Sequence, residues 1–383
     1  MTNRRKFLSI LGGGVVFAAS GTALWATTRD PAAARTPWDR AGNHAEADPR
    51  RRALSYAVLA PNPHNRQPWV ADLAIDDEIT LICDLDRRLP HTDPYDRQIT
   101  IGLGCFLELL AQAAAADGFR TDISLFPHGE PQPRLDSRPV AHIRFSRDEN
   151  VARDPLFAHA LARRSNKEAY DLDRPVAEDD LMTIAAAARS SPVAFTNDTA
   201  RVEDLRVQAW DALMTELTTH DTMKESVDLM RIGRAEIEAN PDGIDISGAL
   251  VEGLAGLGLF RKQDLLDPMS SSFTQQLPIL KVPFDTAMAF MWLVTPGNSR
   301  TDQILAGRDY IRLNLAATGL GLGMHPLSQA LQEFEEMRPH HVAMRNALGI
   351  ANGDTLQMFV RLGYGPQIKA GPRWPYESRI RSA

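Results

Sequence analysis

The spacing of apolar and polar residues predicts alternating helices and strands from about residue 49 onward. Stretches with apolar residues three or four positions apart are typical of helices, and short apolar runs rich in β-branched residues are typical of strands. These patterns predict helices at 49–59, 99–118, 155–164, 177–189, 200–220, 302–319 and 341–348, and strands at 69–75, 79–84, 140–145, 287–294 and 355–363. The alternation predicts an α+β fold, with a mixed sheet flanked by helices.

Two segments interrupt this pattern. Residues 35–48 are polar and rich in Pro and Ala, which is typical of a linker. Residues 221–285 are rich in Met, Gly and Ser and have weak periodicity, so we expect short helices and loops that form a lid-like segment. The regions 49–150 and 151–383 share the outline helix, strand, long apolar helix, strand, although no repeat in the residues proves a duplication.

The N-terminus has the pattern of an export signal. Arg4 and Arg5 form a twin-arginine pair, and an uncharged stretch containing glycines extends from Phe7 to Thr28. Three alanines at 32–34 provide small residues for cleavage. We therefore expect residues 1–34 to be a twin-arginine signal that directs the folded chain to the periplasm or cell envelope. The alternative is an uncleaved membrane anchor, since about 20 apolar residues span a bilayer.

Composition excludes several functional classes. Apolar residues make up 44% and charged residues 24% of the chain, as in soluble globular proteins. The net charge of −7 argues against a nucleic-acid binder. The two cysteines, Cys83 and Cys105, lie in apolar runs, so we expect two buried thiols, with one disulfide as the alternative. No spacing of Cys and His residues indicates a metal site.

Three segments are candidates for a binding site. In the first, APNPHNRQPW at 60–69, three prolines enclose polar side chains in a stiff loop suited to holding a flat polar heterocycle. In the second, Arg163, Ser165 and Lys167 alternate, so an extended backbone directs both cations and the hydroxyl to one side as a phosphate clamp. The third, GLGLGMHPLSQ at 319–329, ends a helix and presents backbone N–H groups and polar side chains.

Each segment also has an ordinary structural interpretation. The first is a proline-rich turn, and the second is a solvated charged helix end. The glycines of the third do not follow GxGxxG, so they do not indicate a Rossmann nucleotide site. His64, His91 and His325 could each reach a pocket, although a lone histidine is more often a surface or capping residue.

In combination, the three segments resemble the nitroreductase superfamily, in its exported, Acg-like branch. The family's P-S-S-x-N-x-Q-P-W loop resembles Pro61 to Trp69, with Asn62 and Pro63 in place of the two serines. Its R-x-S-x-R/K phosphate motif is matched by 163–167, and its Gly-Leu-Gly helix end by 319–329. The RLGYG run at 361–365 and the basic tail are also similar. The resemblance covers most of residues 50–380.

The resemblance implies an FMN site in a single-chain pseudo-dimer. Family members are usually dimers in which one subunit contributes the QPW loop and the other the phosphate motif. Here each motif occurs once, in different halves, so 49–150 and 151–383 resemble two fused, related halves with one flavin site. The residues implied to bind FMN are Arg163, Ser165 and Lys167 at the phosphate, assisted by Arg373, with Asn65 and Gln67 at the ribityl chain or ring edge, Asn62 where a family serine usually touches the flavin, and Pro326, Leu327, Ser328 and Gln329 near the reactive nitrogen.

The implied function is that of an exported FMN-dependent oxidoreductase that reduces nitroaromatic, quinone or similar conjugated acceptors. The flavin carries the chemistry in this family, so no catalytic side chain is expected. The expected partners are a small-molecule electron acceptor and the twin-arginine export machinery. The alternatives are a non-enzymatic protein that sequesters flavin under a lid, and a flavin-free binder of another heterocycle.

Overall fold

The computed structural model describes residues 29–381 of the chain. The predicted twin-arginine pair and uncharged stretch therefore lie outside the described residues. Of the predicted signal, only residues 29–34 are described, and Ala32–Arg35 forms a short 3₁₀ helix.

The segment predicted as a linker begins with helix α1 (Thr36–Arg40). The Trp38 side chain in this helix is buried, and its indole N–H donates a 2.9 Å hydrogen bond to the Gly371 carbonyl. An aromatic side chain buried in this way ties the backbone to the domain. This part of the predicted linker is therefore packed against the domain.

The first half builds one antiparallel sheet against a long helix. It contains α2 (Pro49–Ala57), β1 (Trp69–Asp72), β2 (Glu78–Cys83), α3 (Arg97–Ala116), β3 (Phe119–Leu125) and β4 (Ala141–Arg147). The order across the sheet is β1-β2-β4-β3. Helix α3 is long and apolar enough to cross a membrane, but 83% of its apolar window is buried inside the fold. It is therefore the core helix of this half.

The second half begins with α4 (Glu178–Ala185) and β5 (Val193–Thr196). A long insertion follows, which contains α5 (Thr199–Thr218), α6 (His220–Leu229), β6 (Met230–Ile232), α7 (Gly233–Ala239), β7 (Ile244–Ile246), α8 (Ala249–Gly256) and α9 (Ser271–Asp285). The half ends with β8 (Ala289–Thr295), α10 (Arg300–Gly319), β9 (Gly323–Pro326), α11 (Arg338–Leu348) and β10 (Thr355–Gly363). Its sheet is antiparallel, with the order β5-β8-β10-β9.

The two halves have matching topology. Counted within each four-stranded sheet, both have the strand order first, second, fourth, third, and a 20-residue helix connects the second strand to the third. These helices, α3 and α10, cross at two glycines. A Cβ at Gly104 would lie 2.2 Å from the Ile304 carbonyl oxygen, and one at Gly307 would lie 2.0 Å from that of Ile101. Each glycine thus lets its helix approach the other at an equivalent position.

The structure confirms the α+β class and corrects some element predictions. The predicted helix at 155–164 is a 3₁₀ turn, Pro155–His159. The strands β3, β5 and β9 were not predicted. The strands β5 and β9 have only four residues each, whereas β3 has seven and alternates between half-buried and exposed side chains, so its pattern was overlooked. Cys83 and Cys105 are both buried free thiols.

Candidate cofactor-binding site

A cavity of about 720 Å³ lies between residues of both halves. This volume falls in the range typical of cofactor pockets. Nine of the eleven predicted site residues line it: Asn62, Asn65, Arg163, Ser165, Lys167, Pro326, Ser328, Gln329 and Arg373. The fold therefore brings together three segments that are spread over more than 250 residues of the sequence.

The QPW loop is held in an unusual backbone conformation. His64, Asn65 and Gln67 all have positive φ angles, of 45°, 50° and 51°. Asparagine adopts this region readily, but histidine and glutamine do so at a cost that the surrounding contacts must offset. The Asn62 carboxamide oxygen accepts a 2.6 Å hydrogen bond from the Gln67 backbone N–H and so closes the loop. The stiffness expected from the prolines is thus reinforced by side-chain hydrogen bonds.

Two predicted site residues do not reach the cavity. The Gln67 side chain is fully buried, its oxygen accepts from the Trp374 N–H at 2.8 Å, and its amide donates to the Pro241 carbonyl at 2.7 Å. Leu327 packs in the second hydrophobic core. Since both ends of the Gln67 amide have protein partners, its role is to join the loop to two other segments, and the prediction of a ligand contact was wrong.

Residues 163–167, the RRSNK segment, run beside strand β9 in an extended conformation. Ser165 forms an isolated parallel bridge with Met324, and the Asn166 N–H donates to the Met324 carbonyl at 3.2 Å. The extended backbone directs Arg163, Ser165 and Lys167 to the cavity, as their alternation predicted.

Arg163 carries unused hydrogen-bonding capacity. Its side chain is buried, and one terminal nitrogen donates to the Leu59 carbonyl at 3.1 Å. Its Nε and Nη1 groups are buried without a partner. Buried guanidinium N–H groups normally find acceptors, so unpaired ones in a cavity wall indicate a site for an anionic ligand.

Trp38 lies among three arginines at the same end of the cavity. The guanidinium carbons of Arg163, Arg164 and Arg373 lie 5.8, 4.6 and 5.6 Å from its ring centre. Stacking on an indole face stabilises cations held close together. Arg373 also donates to the Asn65 carboxamide oxygen at 2.7 Å, which connects this cluster to the QPW loop.

Among residues 29–381, the cation cluster forms no ion pair with a carboxylate, although the charge of Asp245 acts on Arg373 at longer range. No Asp or Glu oxygen lies within 4.0 Å of the charged groups of Arg163, Arg164, Lys167 or Arg373 in that range. Burial lowers the pKa of Arg163 to about 10 and that of Arg373 to about 9, the latter with a contribution from the nearby Arg163 charge. The guanidinium groups of Arg163 and Arg373 remain charged at neutral pH, so this end of the cavity has a positive potential that favours a phosphate.

His325 lies on the cavity wall and is neutral. Burial lowers its pKa well below the ordinary value, with further contributions from the charges of Arg361 and Lys167. Its Nδ1 accepts a 3.2 Å hydrogen bond from Arg361, so the proton of the neutral ring is on Nε2. Beside it, the buried carboxamide oxygen of Gln329 has no partner. The HPLSQ segment thus supplies both a donor and an acceptor to a ligand.

His64 and Glu216 of helix α5 form an ionisable pair. His64 Nε2 is 4.0 Å from Glu216 Oε1, and Gln332 donates to the other Glu216 oxygen at 3.0 Å. Burial raises the pKa of Glu216 to about 7 and lowers that of His64 to about 4. Of the three histidines considered from sequence, His64 and His325 line the cavity and His91 does not.

Residues 240–248 of the predicted lid lie over the QPW loop. The Gly243 N–H donates to the Asn65 carbonyl at 3.3 Å, and residues 243–245, 247 and 248 line the cavity. Asp242 is buried and forms ion pairs with Arg66, Arg87 and Arg231. A buried carboxylate with three guanidinium partners fixes this stretch firmly in place.

Within residues 29–381, no group of three or more His, Cys, Asp and Glu side chains could hold a metal ion. The positive cavity with neutral donors and acceptors at its other end is instead suited to a phosphorylated organic cofactor.

Comparison with known proteins identifies the family. Residues 160–364, more than half of the chain, match the sequence model of the Nitroreductase family. The chain belongs to the nitroreductase family. The match spans both the RRSNK segment and the HPLSQ segment of the cavity, and it confirms the family predicted from the sequence.

Curated relatives agree with this assignment. A Mycobacterium tuberculosis protein named as an NAD(P)H nitroreductase is 26% identical over 340 residues, which cover 87% of this chain and 90% of the relative. The Acg protein of the same organism, also named as an NAD(P)H nitroreductase, is 37% identical over 76 residues, 20% of this chain and 23% of that protein.

Among solved structures, the FMN-dependent nitroreductase NfnB from Mycobacterium smegmatis is 21% identical, with a TM-score of 0.37 over 58% of this chain and 94% of that one. A nitroreductase from Anabaena variabilis is 12% identical, with a TM-score of 0.38 over 76% of this chain and 69% of that one. The family assignment rests on the sequence match rather than on these overall superpositions.

Sequence reasoning missed several residues of this nitroreductase site. Trp38 lies outside the family match, and no motif marks it. Arg164 lies beside Arg163 of the predicted phosphate clamp. Its position next to another arginine is the only feature of the sequence that could have indicated its role. Glu216 lies in an ordinary amphipathic helix, so only the fold reveals that it faces His64.

Proposed function

We propose that this protein is an exported FMN-dependent oxidoreductase that reduces nitroaromatic, quinone or similar conjugated acceptors. The observation that carries the proposal is the buried Arg163 guanidinium, which has two unpaired nitrogens in a cavity wall rich in cations. Nitroreductase family membership supports an oxidoreductase, and the cavity supports its cofactor.

The residues present fit the phosphate of FMN. A phosphate monoester carries up to two negative charges and three acceptor oxygens. Arg163, Lys167 and the Ser165 hydroxyl would hold it, and Arg164 and Arg373 would add positive charge. Because these cations lack carboxylate partners within residues 29–381, a bound phosphate would supply the counter-charge they need.

FMN held by Arg163, Ser165 and Lys167 would supply the hydride and electron transfer between a donor and an acceptor. The side chains of the protein bind and orient the cofactor and the substrate. His325, neutral with its proton on Nε2, can donate a hydrogen bond to a cofactor or substrate oxygen. The Gln329 carboxamide oxygen can accept one from a ring N–H. The QPW loop, stiffened by Asn62, provides a fixed wall for a planar ring system.

We further propose that the chain is a fused pseudo-dimer. Its support is the common strand order of the two sheets and the reciprocal glycine contacts of α3 and α10. Each half then contributes one wall of a single flavin site: the QPW loop from the first, and the phosphate clamp with HPLSQ from the second.

The twin-arginine pattern of residues 4–8 supports export of the folded, cofactor-loaded protein to the periplasm or cell envelope. The export machinery and a small-molecule electron acceptor are the proposed partners. A fusion of residues 1–34 to a reporter that folds before export tests the route. Loss of export in the Arg4→Lys/Arg5→Lys variant is the expected outcome.

The visible spectrum of purified, undenatured protein tests the cofactor. We expect flavin absorbance and release of FMN on heating, and reconstitution with FMN if the flavin was lost during purification. Colourless protein that does not bind added FMN would refute the proposal.

A second candidate is a flavin-sequestering protein, which the ion-paired lid over the cavity favours. In that case the bound flavin would be reduced only slowly by NAD(P)H or reduced dyes. Rapid turnover with any quinone excludes this alternative.

A further inference from the structure

Helix α8 of the predicted lid (221–285) is amphipathic, but its apolar side chains face solvent and its charged side chain faces the protein. Leu250, Leu254 and Leu257 follow helical spacing and are exposed, at 65%, 36% and 75%. The charged residue of the helix, Glu252, instead faces the protein, where its side chain packs against Gly233. Soluble helices bury their apolar face and expose their charges. The reversed orientation of α8 therefore indicates that another apolar surface covers its leucines.

The exposed apolar side chains of the described residues are concentrated in this region. Of the fourteen large apolar side chains that are exposed within residues 29–381, six lie between residues 250 and 279. The stretch 247–260 contains a single charge, that of Glu252, and Arg29 neutralises it through a 3.0 Å ion pair. This surface can therefore enter a low-dielectric environment without leaving an unpaired charge.

The same ion pair connects α8 to the N-terminal segment. Arg29 directly follows the 22-residue uncharged stretch 7–28, and it is bound to α8. An uncharged stretch of about 20 residues is long enough to cross the hydrocarbon core of a bilayer. The three cations at residues 4–6 favour the cytoplasmic side, so the folded part would lie on the opposite side.

We propose that the leucine face of α8 docks on the lipid bilayer in which residues 7–28 are retained as an anchor. This inference rests on the proposed export and flavin function. Residues on both sides of the Arg29–Glu252 pair, including Asp30 and Gly248, line the cofactor cavity. Docking therefore places the cavity beside the membrane surface, and the matching substrate class is a lipid-soluble quinone.

Site-specific labelling of the full chain tests the docking. The native thiols Cys83 and Cys105 are 3% and 1% exposed, so an added surface cysteine is labelled selectively. Leu250→Cys and Leu257→Cys report on the patch, and Leu172→Cys, at an equally exposed leucine of 59%, is the matched control. Each labelled protein carries an environment-sensitive dye and is reconstituted into phosphatidylethanolamine–phosphatidylglycerol vesicles.

We expect a blue-shifted emission at residues 250 and 257 that brominated lipids quench, and neither effect at residue 172. Equal quenching at all three positions, or none, would overturn the proposal. A blue shift that brominated lipids do not quench would also overturn it, because protein would then cover the patch: a second copy if dilution reverses the shift, and the N-terminal segment if not.

Turnover provides a second, functional readout. The Leu250→Asp/Leu257→Asp variant should lose activity with a long-chain quinone embedded in vesicles and keep it with a water-soluble quinone. Leu172→Asp should keep both activities. If both activities fall equally in the double variant, the docking proposal fails. If the wild-type chain binds no FMN, the flavin proposal fails, and the quenching experiment still tests docking by itself.

Discussion

The Arg163→Met substitution should have opposite effects on the flavin-free and flavin-bound protein. Methionine has a similar length and no charge, so it removes the buried cation without creating a large cavity. Burial lowers the pKa of Arg163 to about 10, well below the ordinary value of an arginine, which corresponds to a penalty of about 3 kcal/mol for holding the charge in the folded state. At pH 7, below the folded-state pKa, this penalty is fully present.

Part of that penalty is offset by the hydrogen bond from Arg163 to the Leu59 carbonyl, worth about 1.5 kcal/mol. Because the substitution removes both the burial penalty and this hydrogen bond, the flavin-free variant should be more stable than wild type by about 1–2 kcal/mol. FMN binding should weaken, because two unpaired nitrogens of Arg163 are available to the phosphate. At about 1.5 kcal/mol for each charge-assisted bond, the loss of about 3 kcal/mol is roughly a 100-fold increase in Kd.

Urea unfolding of the flavin-free protein measures the first effect, and quenching of FMN fluorescence on titration measures the second. Arg300→Met is the matched control, because Arg300 is also a buried arginine, but it donates to the Pro131 and Pro133 carbonyls and does not line the cavity. It should destabilise the fold and leave FMN affinity unchanged. An Arg163→Met protein that binds FMN as tightly as wild type would show that the phosphate site has been misplaced.

Three further predictions concern the fold and the lid. Gly307→Ala should destabilise the protein by about 1–3 kcal/mol in urea unfolding, because its Cβ would lie 2.0 Å from the Ile101 carbonyl oxygen; Gly256→Ala, which meets no neighbour, should not. Burial raises the pKa of Glu216 from 4.5 to about 7, so the folded state loses stability as pH rises between these values. Glu216→Gln should therefore stabilise the protein by up to about 3 kcal/mol above pH 7 and have no effect below pH 4; an equal effect at both pH values would contradict this. Asp242→Asn should weaken the lid and speed both FMN release and proteolysis near residues 240–248, whereas the exposed-pair control Asp228→Asn should do neither.

The sequence predicted the elements with regular patterns and missed those that depend on context. The apolar period of α3 and the strand at 355–363 were evident from spacing, and β10 has these bounds in the structure. Strand β9 was missed, because its four residues GMHP show no alternation and its partners, β10 and Ser165, are distant in sequence.

The candidate site likewise contains residues that the sequence pattern reveals and residues that only tertiary contacts reveal. The alternation of Arg163, Ser165 and Lys167 was sufficient to predict that all three face one cavity. Gln67 matches the family pattern, but its side chain is used to join distant backbone segments, and no local signal reveals those partners. Trp38 became part of the site only through tertiary contacts with residues 163 and 373, which lie far away in sequence.

The cavity wall combines Trp38, near the start of the described chain, with Arg373, near its end, and the two segments are joined by the hydrogen bond from Trp38 to Gly371. Residue 373 is synthesised more than 200 residues after Arg163 and more than 300 after Trp38, so the cation cluster is complete only when residues 371–373 have folded back onto residues 34–38. A chain shortened before residue 371 would lack both Arg373 and the Gly371 carbonyl that accepts from Trp38, and we expect it to leave this end of the cavity open.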